Sequence, residues 1–452
     1  MLSGGGGLTR LLAPAFVAGA VLGGALAFAV TGSPDKSAAA GPRKSDLATR
    51  KAAFRRPAQV PFPADNPYSE KKRALGDKLF HDRRLSLDDS ISCASCHDRN
   101  NGYADGVAKG QGVPGRKLAR HTPTLWNLAW SRQMFWDGRA RSLEEQVSFP
   151  IENPDEMAQP LPDVIAKLSA DPKYVRMFAE AFPDDPHIDA VNLAKALATY
   201  ERGLVSPETR FDRWVDGDAQ ALTPNEVKGF DLFTGKAQCS NCHTGWAFTD
   251  SAFYDIGLKG DDRGRGAVLR ISQANYSFKV PGLRELSRSA PYMHDGSIKT
   301  IEEAVRHYEA GVVKRPTLAS DLPHDLKLTD TERASLVAFL KTLTGDEKPK
   351  PPEKIVAVST AVTSPAVAVS SVAQDDKAFH PRHVKIKRGA RLWIVNNDSR
   401  THNVRVFDEK FEFDSGAQEP GETIEMTFPA TGSFLVFCGI HPKMELFVDV
   451  KP

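Results

Sequence analysis

Cys93-Ala94-Ser95-Cys96-His97 has a counterpart in Cys239-Ser240-Asn241-Cys242-His243, and these two pentads are the strongest indication of the fold class. Two cysteines at this spacing can each form a thioether with a haem vinyl group, and the adjacent histidine can bind the iron. The pentads therefore predict two covalently bound haem c groups, with His97 and His243 as iron ligands. The alternatives, a redox-active cysteine pair or a four-cysteine zinc site, do not account for the histidine that ends each motif.

The sequence before each pentad is duplicated as well. Gly76-Asp77-Lys78-Leu79-Phe80 precedes the first pentad and Gly229-Phe230-Asp231-Leu232-Phe233 precedes the second, each at the end of an amphipathic helix. A repeated supersecondary unit indicates two related domains. The second copy ends with a capping box, Thr329-Asp330-Thr331-Glu332, followed by apolar residues at helical spacing. We therefore predict two mainly α, cytochrome c-like haem domains over residues 62–215 and 216–347.

The pattern changes after about residue 372. Short alternating or apolar runs are separated by Gly, Asn, Asp and Pro, which is typical of a small all-β Greek-key sandwich. The predicted strands are 384–387, 392–395, 404–406, 423–426 and 447–450. We place this domain at 365–452, after a Pro-, Lys- and Ala-rich flexible linker over 348–364 that lets it dock near the second haem.

Cys438-Gly439-Ile440-His441-Pro442-Lys443-Met444 indicates a second kind of metal site, together with His402 upstream. A thiolate, two imidazoles and a weak axial thioether are the ligands of a mononuclear type-1 copper ion. The spacing puts Cys438, His441 and Met444 on one loop between the last two strands. A lone buried cysteine beside a structural methionine is the alternative. This domain resembles the cupredoxin family, and its short ligand loop is similar to that of amicyanin.

The N-terminal segment indicates where the protein is located. Residues 11–30 are almost purely apolar, rich in Ala and Gly, and follow Arg10, which is typical of an export signal. The stretch is also about long enough to span a bilayer. Residues 1–32 are therefore a signal peptide or a membrane anchor, and 33–61 form a tether. We predict a periplasmic protein that contacts a membrane only through this segment.

Composition narrows the choice of partners. The 452-residue chain has a net charge of +2 and lacks a basic run of the kind that nucleic acid requires, so we expect no nucleic-acid partner. Its 41% hydrophobic content is sufficient for globular cores. The odd number of cysteines, five, argues against a closed disulfide framework and agrees with their use for haem and copper.

The helical region, about residues 62–344, resembles the bacterial di-haem cytochrome c peroxidase and MauG family. The segments that carry the resemblance are KLFHDRRLS (78–86), TPTL (122–125), FWDGRA (135–140) and PYMHDG (291–296). The resemblance implies a peroxidatic N-terminal haem, an electron-transferring C-terminal haem and a relay tryptophan between them, matched by Trp136. It also implies hydrogen peroxide as substrate and a periplasmic redox protein as electron donor or oxidation target.

The same resemblance implies three residues of the distal pocket. In the family a glutamine, a proline that packs over the iron and a glutamate follow the tryptophan; Gln146, Pro150 and Glu156 match them. A carboxylate there can take a proton from bound peroxide and return it to the leaving oxygen, which is general acid–base catalysis. We therefore expect Glu156 to be the catalytic acid–base group.

Two departures from the peroxidase pattern distinguish this chain. Peroxidases have a removable histidine after the first haem motif, but residues 98–120 contain neither His nor Met, so an open sixth position is expected at the first haem. His121 stands where the family often has an asparagine associated with an interdomain calcium ion, and we expect it to be structural. At the second haem, Tyr308 takes the place of the methionine ligand, as in MauG, with Met293 and His307 as rivals.

Three functions fit these features. The first is a peroxidase whose copper domain delivers electrons through the second haem. The second is a MauG-like oxidant of tyrosine or tryptophan in a partner protein, and the third is a non-enzymatic carrier with three redox centres. Gln146 and Glu156 argue against the carrier. Tyr308 favours the MauG-like oxidant, and the fused copper domain favours the peroxidase. We rank the peroxidase highest.

Overall fold

The computed structural model describes residues 47–113, 115–323, 325–345, 355–359 and 366–452. The predicted export segment, 1–32, lies outside the described residues. The described residues belong to one compact unit, Asp46–Pro452. Within these ranges the fold is the predicted one, a helical region with two cores followed by a β-sandwich, and no described helix is long and apolar enough to cross a membrane.

The described helices are α1 (Leu47–Ala52), α2 (Glu70–Phe80), α3 (Cys93–Cys96), α4 (Leu143–Glu152), α5 (Leu161–Ser169), α6 (Pro172–Ala181), α7 (Ala190–Arg202), α8 (Arg210–Val215), α9 (Pro224–Thr234), α10 (Arg265–Leu269), α11 (Ile301–Arg306) and α12 (Asp330–Lys341). The described strands are β1 (Val60–Phe62), β2 (Phe253–Tyr254), β3 (Phe278–Lys279), β4 (Ala357–Ser359), β5 (Val367–Ala368), β6 (Ser371–Asp375), β7 (Ala378–His380), β8 (His383–Lys387), β9 (Arg391–Asn396), β10 (Arg405–Asp408), β11 (Phe411–Asp414), β12 (Thr423–Thr427), β13 (Gly432–Phe437) and β14 (Glu445–Lys451).

The internal duplication is visible in how the helices cross. A Cβ at Gly76 in α2 would lie 2.1 Å from the carbonyl oxygen of Ala196 in α7. A Cβ at Gly229 in α9 would lie 2.1 Å from the carbonyl oxygen of Ser335 in α12. Only glycine permits such a close approach of two backbones. Each helix that leads into a haem motif is therefore seated in the same way on a later helix of its own half.

The two halves have separate apolar cores. One gathers residues of α2 and α4–α7, and the other gathers residues of α8, α9 and α12. Phe211 and Trp214 of α8 lie in the second core, although α8 precedes the predicted boundary after residue 215. The predicted capping box is present before α12, since the Thr329 hydroxyl accepts from the amide of Glu332 at 3.2 Å.

Part of the predicted tether and part of the linker pack on the helical region. The ring of Phe54, which is 3% exposed, lies 4.8 Å from that of Phe248 in the second core, centroid to centroid. β1 pairs in parallel with β4, and the amide of Val60 donates to the carbonyl of Val356 at 2.8 Å. The side chains of Phe54, Val60 and Ile355 are buried, so parts of the segments predicted as tether and linker pack on the helical region.

The C-terminal domain consists of two packed sheets. Among the described residues, one has the order β11-β10-β13-β14-β8-β5 and the other the order β12-β9-β6-β7. The five predicted strands coincide with or overlap β8, β9, β10, β12 and β14. Alternate residues face the core, as Leu392 and Ile394 do in β9. The sandwich presents the loop between β13 and β14, which carries the predicted copper ligands.

Candidate active site and metal centres

Both haem-binding pentads open onto one cavity of about 1000 Å³. The pentad residues that line it are Cys93, Cys96, His97, Cys239, Cys242 and His243. All five cysteines of the chain lie in the described residues, and none is paired in a disulfide. The four pentad thiols are therefore available at the wall of the cavity.

The two pentad histidines are oriented by the same type of hydrogen bond. Nδ1 of His97 lies 2.8 Å from the carbonyl oxygen of Tyr103, and Nδ1 of His243 lies 3.0 Å from that of Phe248. A carbonyl oxygen only accepts, so Nδ1 donates and Nε2 keeps a lone pair. Burial lowers the pKa of both histidines and keeps them neutral. This donor set fits a haem c group at each motif.

The residues matched to the distal pocket lie on α4 and in the loop after it. Gln146 and Pro150 are one turn apart on α4, and Glu156 follows; all three line the cavity. Asn153 donates from Nδ2 to Oε1 of Glu156 at 2.8 Å. Burial raises the pKa of Glu156, although Asn153 and Arg139 oppose the shift. The shift moves this carboxyl towards the range suited to proton transfer near neutral pH.

Trp136 also lines this cavity, which both pentads share. Its indole Nε1 donates to the carbonyl oxygen of His121 at 2.8 Å. His121 is buried, lines the cavity as well, and donates from Nδ1 to the carbonyl of Val107 at 2.9 Å; its structural role stays a prediction. The described side chains around His121 do not form a cluster of three metal ligands, and the calcium ion stays a prediction.

Sequence reasoning missed a second buried carboxyl in the cavity. Glu201, near the end of α7, lines the cavity, and its Oε2 has no hydrogen-bond partner among the described residues. Burial raises the pKa of Glu201 to about 8. Its neighbours Tyr200 and Arg202 make the local sequence look like an ordinary polar helix end, so no local signal could have revealed it.

Two of the three candidate ligands of the second haem reach the cavity. Tyr308 and Met293 line it, whereas Nε2 of His307 donates to the carbonyl oxygen of Ile256 at 2.9 Å. Tyr308 lies in a single π-helical turn, His307–Gly311, that follows α11. Such turns are frequent at functional sites. The structure therefore leaves Tyr308 and Met293 as the candidates that reach the cavity.

The predicted copper ligands converge in the third domain. Sγ of Cys438 lies 3.7 Å from Nδ1 of His402 and 3.8 Å from Nδ1 of His441, and the two nitrogens are 3.0 Å apart. These separations suit ligands at about 2.0–2.3 Å from one ion. Burial alone would raise the pKa of the Cys438 thiol, but hydrogen bonds with both histidines hold it well below its ordinary value. The site therefore favours the thiolate, the form that binds metals.

Outer contacts hold the copper ligands in place. Nε2 of His402 lies 3.2 Å from Oδ2 of Asp398, which turns the other ring nitrogen towards the thiolate. The amide of Cys438 donates to the carbonyl of Met444 at 3.1 Å, and the amide of Met444 donates to that of His441 at 2.8 Å. These bonds close the loop between β13 and β14 and keep the buried Met444 beside the other candidate ligands. The residues fit a type-1 copper ion.

The copper-ligand loop, residues 438–444, packs against the second haem half. The amide of Phe253 in β2 donates to the carbonyl of Ile440 at 3.1 Å. Nζ of Lys443 donates to the carbonyl of Thr249 at 2.9 Å, and Lys443 also lines the haem cavity. The copper-ligand loop thus forms part of the wall of the cavity that the haem motifs share.

Arg265 joins the copper-ligand loop to the segment that carries Trp136. Its Nε donates to the carbonyl of Gly439 at 2.8 Å, and its Nη1 donates to those of Asp137 at 3.0 Å and Gly138 at 2.7 Å. The side chain is 1% exposed. Sequence reasoning missed Arg265 because its partners lie far away along the chain and no local motif marks it.

Comparisons with known proteins identify relatives of both parts of the chain. Residues 70–220 match the family described as di-haem cytochrome c peroxidase, and residues 366–451 match copper binding proteins of the plastocyanin/azurin family. The methylamine utilization protein MauG of Methylorubrum extorquens is 46% identical over 326 residues, which cover 72% of this chain and 92% of that protein. Cytochrome c551 peroxidase of Pseudomonas aeruginosa is 35% identical over 317 residues, which cover 68% of this chain and 88% of that protein.

A solved structure of a MauG-like protein is also similar to this chain. A MauG-like protein associated with microbial copper homeostasis aligns with a TM-score of 0.59 and 31% identity over 64% of this chain and 93% of the other. Fold and sites define an oxidoreductase with two haem c sites and a fused copper-binding domain. The chain belongs to the di-haem cytochrome c peroxidase and MauG family and carries a C-terminal cupredoxin domain.

Proposed function

We propose that the protein reduces hydrogen peroxide at the first haem site and receives electrons from the copper domain through the second haem site. The observation that carries the proposal is the contact of the copper-ligand loop with the cavity wall, where Lys443 both lines the cavity and bonds to Thr249. Family membership supports the peroxide chemistry. We place the protein in the periplasm, with a periplasmic redox protein as the source of electrons.

The residues of this chain would bind peroxide and move its protons. A bound haem supplies an iron that takes up peroxide and exchanges electrons. The carboxylate of Glu156 would accept a proton from the peroxide and return it to the leaving oxygen. Gln146 would donate a hydrogen bond from its amide, and Trp136 would couple the two haem sites. Reduction of one peroxide to two waters consumes two electrons and two protons.

The test is the fate of reduced copper when peroxide arrives. Protein that holds Cu(I) and ferric haems, mixed with one equivalent of hydrogen peroxide, should develop the thiolate-to-copper absorption within a single turnover, because copper then supplies one of the two electrons that peroxide takes. The rate of this step once peroxide is bound should not depend on protein concentration, because donor and acceptor belong to one molecule. Stopped-flow absorbance at several protein concentrations measures it, and the Cys438→Ala variant supplies the haem background. Copper that stays reduced while the haem spectra change would contradict the proposal.

A second function is favoured by Tyr308 and by the identity with MauG. A tyrosinate ligand stabilises oxidised iron, and Tyr308 lines the cavity beside the second pentad. In this alternative the protein stores oxidising equivalents and modifies a tyrosine or tryptophan of a partner protein. The copper experiment separates the two functions, because reduced copper that survives peroxide favours this alternative.

Tyr308→Phe should raise the reduction potential of the second haem. The substitution keeps the partly buried ring but removes the oxygen that, as a tyrosinate ligand, would stabilise the oxidised iron. Spectroelectrochemical titration measures the potential of each haem. His307→Gln is the control, since the His307 ring is bonded to the carbonyl of Ile256; it should leave the potential unchanged. If Tyr308→Phe also leaves it unchanged, Met293 becomes the candidate ligand.

A further inference from the structure

Tyr254, in β2, contacts both the copper site and the second haem site. Its ring centroid lies 6.0 Å from that of His441, with the ring planes inclined by 57°. The side chain is 6% exposed and lines the haem cavity, as does the pentad residue Cys242. A single aromatic ring thus bridges a candidate copper ligand and the wall of the haem cavity.

Hydrogen bonds continue from the Tyr254 hydroxyl to the second haem motif. Oη donates to Oδ2 of Asp250 at 2.7 Å, and the amide of Asp250 donates to the carbonyl oxygen of Cys242 at 2.8 Å. Lys377 of the copper domain donates to the same Oη at 2.6 Å and is paired with Asp321 at 3.2 Å. The hydroxyl therefore donates once and accepts once, so its orientation is fixed by both domains.

We propose that Tyr254 is the side chain that couples the copper site electronically to the second haem. The inference rests on the proposed function, since it requires electrons to pass between these sites. In each event one electron leaves Cu(I), which becomes Cu(II), and enters the ferric iron of the second haem, which becomes ferrous. No bond is made or broken, and Tyr254 itself is neither oxidised nor deprotonated.

Two other contacts between these sites are less direct. Lys443 reaches Thr249 through a saturated side chain of many single bonds. The bond between Phe253 and Ile440 joins two backbones and includes none of the side chains that would bind copper. The route from His441 through the Tyr254 ring, Asp250 and Cys242 contains one through-space step followed by two short hydrogen bonds.

Tyr254→Leu and Tyr254→Phe test the route without relying on turnover. In peroxide-free solution, a pulse of radiolytic reductant places electrons on the protein, and their redistribution between copper and haem is followed by absorbance. We expect the first-order redistribution to slow severalfold in Tyr254→Leu, which lacks both ring and hydroxyl. Tyr254→Phe keeps the ring contact but loses the bond to Asp250, so its rate should fall between the two.

Phe253→Leu is the matched control, because it removes an equally buried aromatic ring from the same strand; it should retain the wild-type rate. An unchanged blue absorption in every variant shows that the copper site is intact.

If folded Tyr254→Leu keeps the wild-type rate, the role of Tyr254 is overturned. The proposed electron transfer between copper and the second haem would not be affected by that result. If Tyr254→Leu does not fold, a wild-type rate in Tyr254→Phe would overturn the hydrogen-bonded route. No redistribution in the wild-type protein would refute the proposed function itself.

Discussion

Glu156→Gln is expected to slow peroxide cleavage by about 10²- to 10⁴-fold, the usual contribution of a positioned acid–base group. Glutamine keeps the size of the side chain, and its carbonyl can still accept from Asn153, but it cannot take up and return a proton. The absorption spectra of both haems should stay nearly the same. Rapid mixing with excess peroxide measures the cleavage rate.

Glu152→Gln is the matched control for this substitution. Glu152 is an exposed carboxylate at the end of α4 and lies outside the lining of the cavity. Its removal should leave peroxide cleavage near the wild-type rate. Equal rates in Glu156→Gln and the wild type would exclude Glu156 from the chemistry.

The pH dependence of activity adds a second test, because it would not change if Glu156 had only a structural role. Proton uptake requires the carboxylate form of Glu156, so activity is lost as the pH falls through its pKa. Burial raises that pKa, and the acid limb should therefore lie above the ordinary range of a glutamate. Glu156→Gln should lack this limb over the same pH range, which steady-state assays in a series of buffers can show.

Cys438→Ala should abolish the visible absorption of the copper site completely. Among the candidate ligands, only the cysteine thiolate can give an intense charge-transfer band with copper. The substitution also removes the group that lies within 4 Å of both imidazoles, at 3.7 and 3.8 Å. Optical spectra and copper analysis of the purified protein measure the loss. A band that persists would show that copper is bound elsewhere.

Met444→Leu is the control from the same loop. It replaces an equally buried side chain but leaves the thiolate and both imidazoles, so copper and its visible band should remain. The reduction potential should rise, because the weak axial donor has been removed. An unchanged potential would mean that Met444 is not a ligand.

The candidate haem and copper ligands could be named from the sequence because their chemistry is encoded locally. Thioether attachment fixes the spacing from Cys93 to His97 within five positions, and one short loop carries Cys438, His441 and Met444. Period-two alternation likewise revealed strands such as β8. The apolar run from Phe434 to Phe437 in β13 hides that alternation, because Leu435 is apolar although it is exposed.

The contacts between domains could not be predicted from the sequence. Arg265 bonds to Asp137 and Gly439, which are distant along the chain and are brought together only by tertiary packing. The same holds for Tyr254, which looks like a core aromatic until His441 is placed beside it. Phe54 lay in a segment too polar overall to indicate a docking site, yet its single ring enters the second core.

The burial of the copper-ligand loop limits electron transfer between the copper sites of different molecules. His441 is 5% exposed, and the copper-ligand loop is bonded to the second haem half of its own chain. Two molecules that collide cannot bring these loops together, so electron self-exchange between their copper sites should be slow. Electrons would then pass between molecules through the haem sites or through an external redox partner, and not directly from one copper site to another.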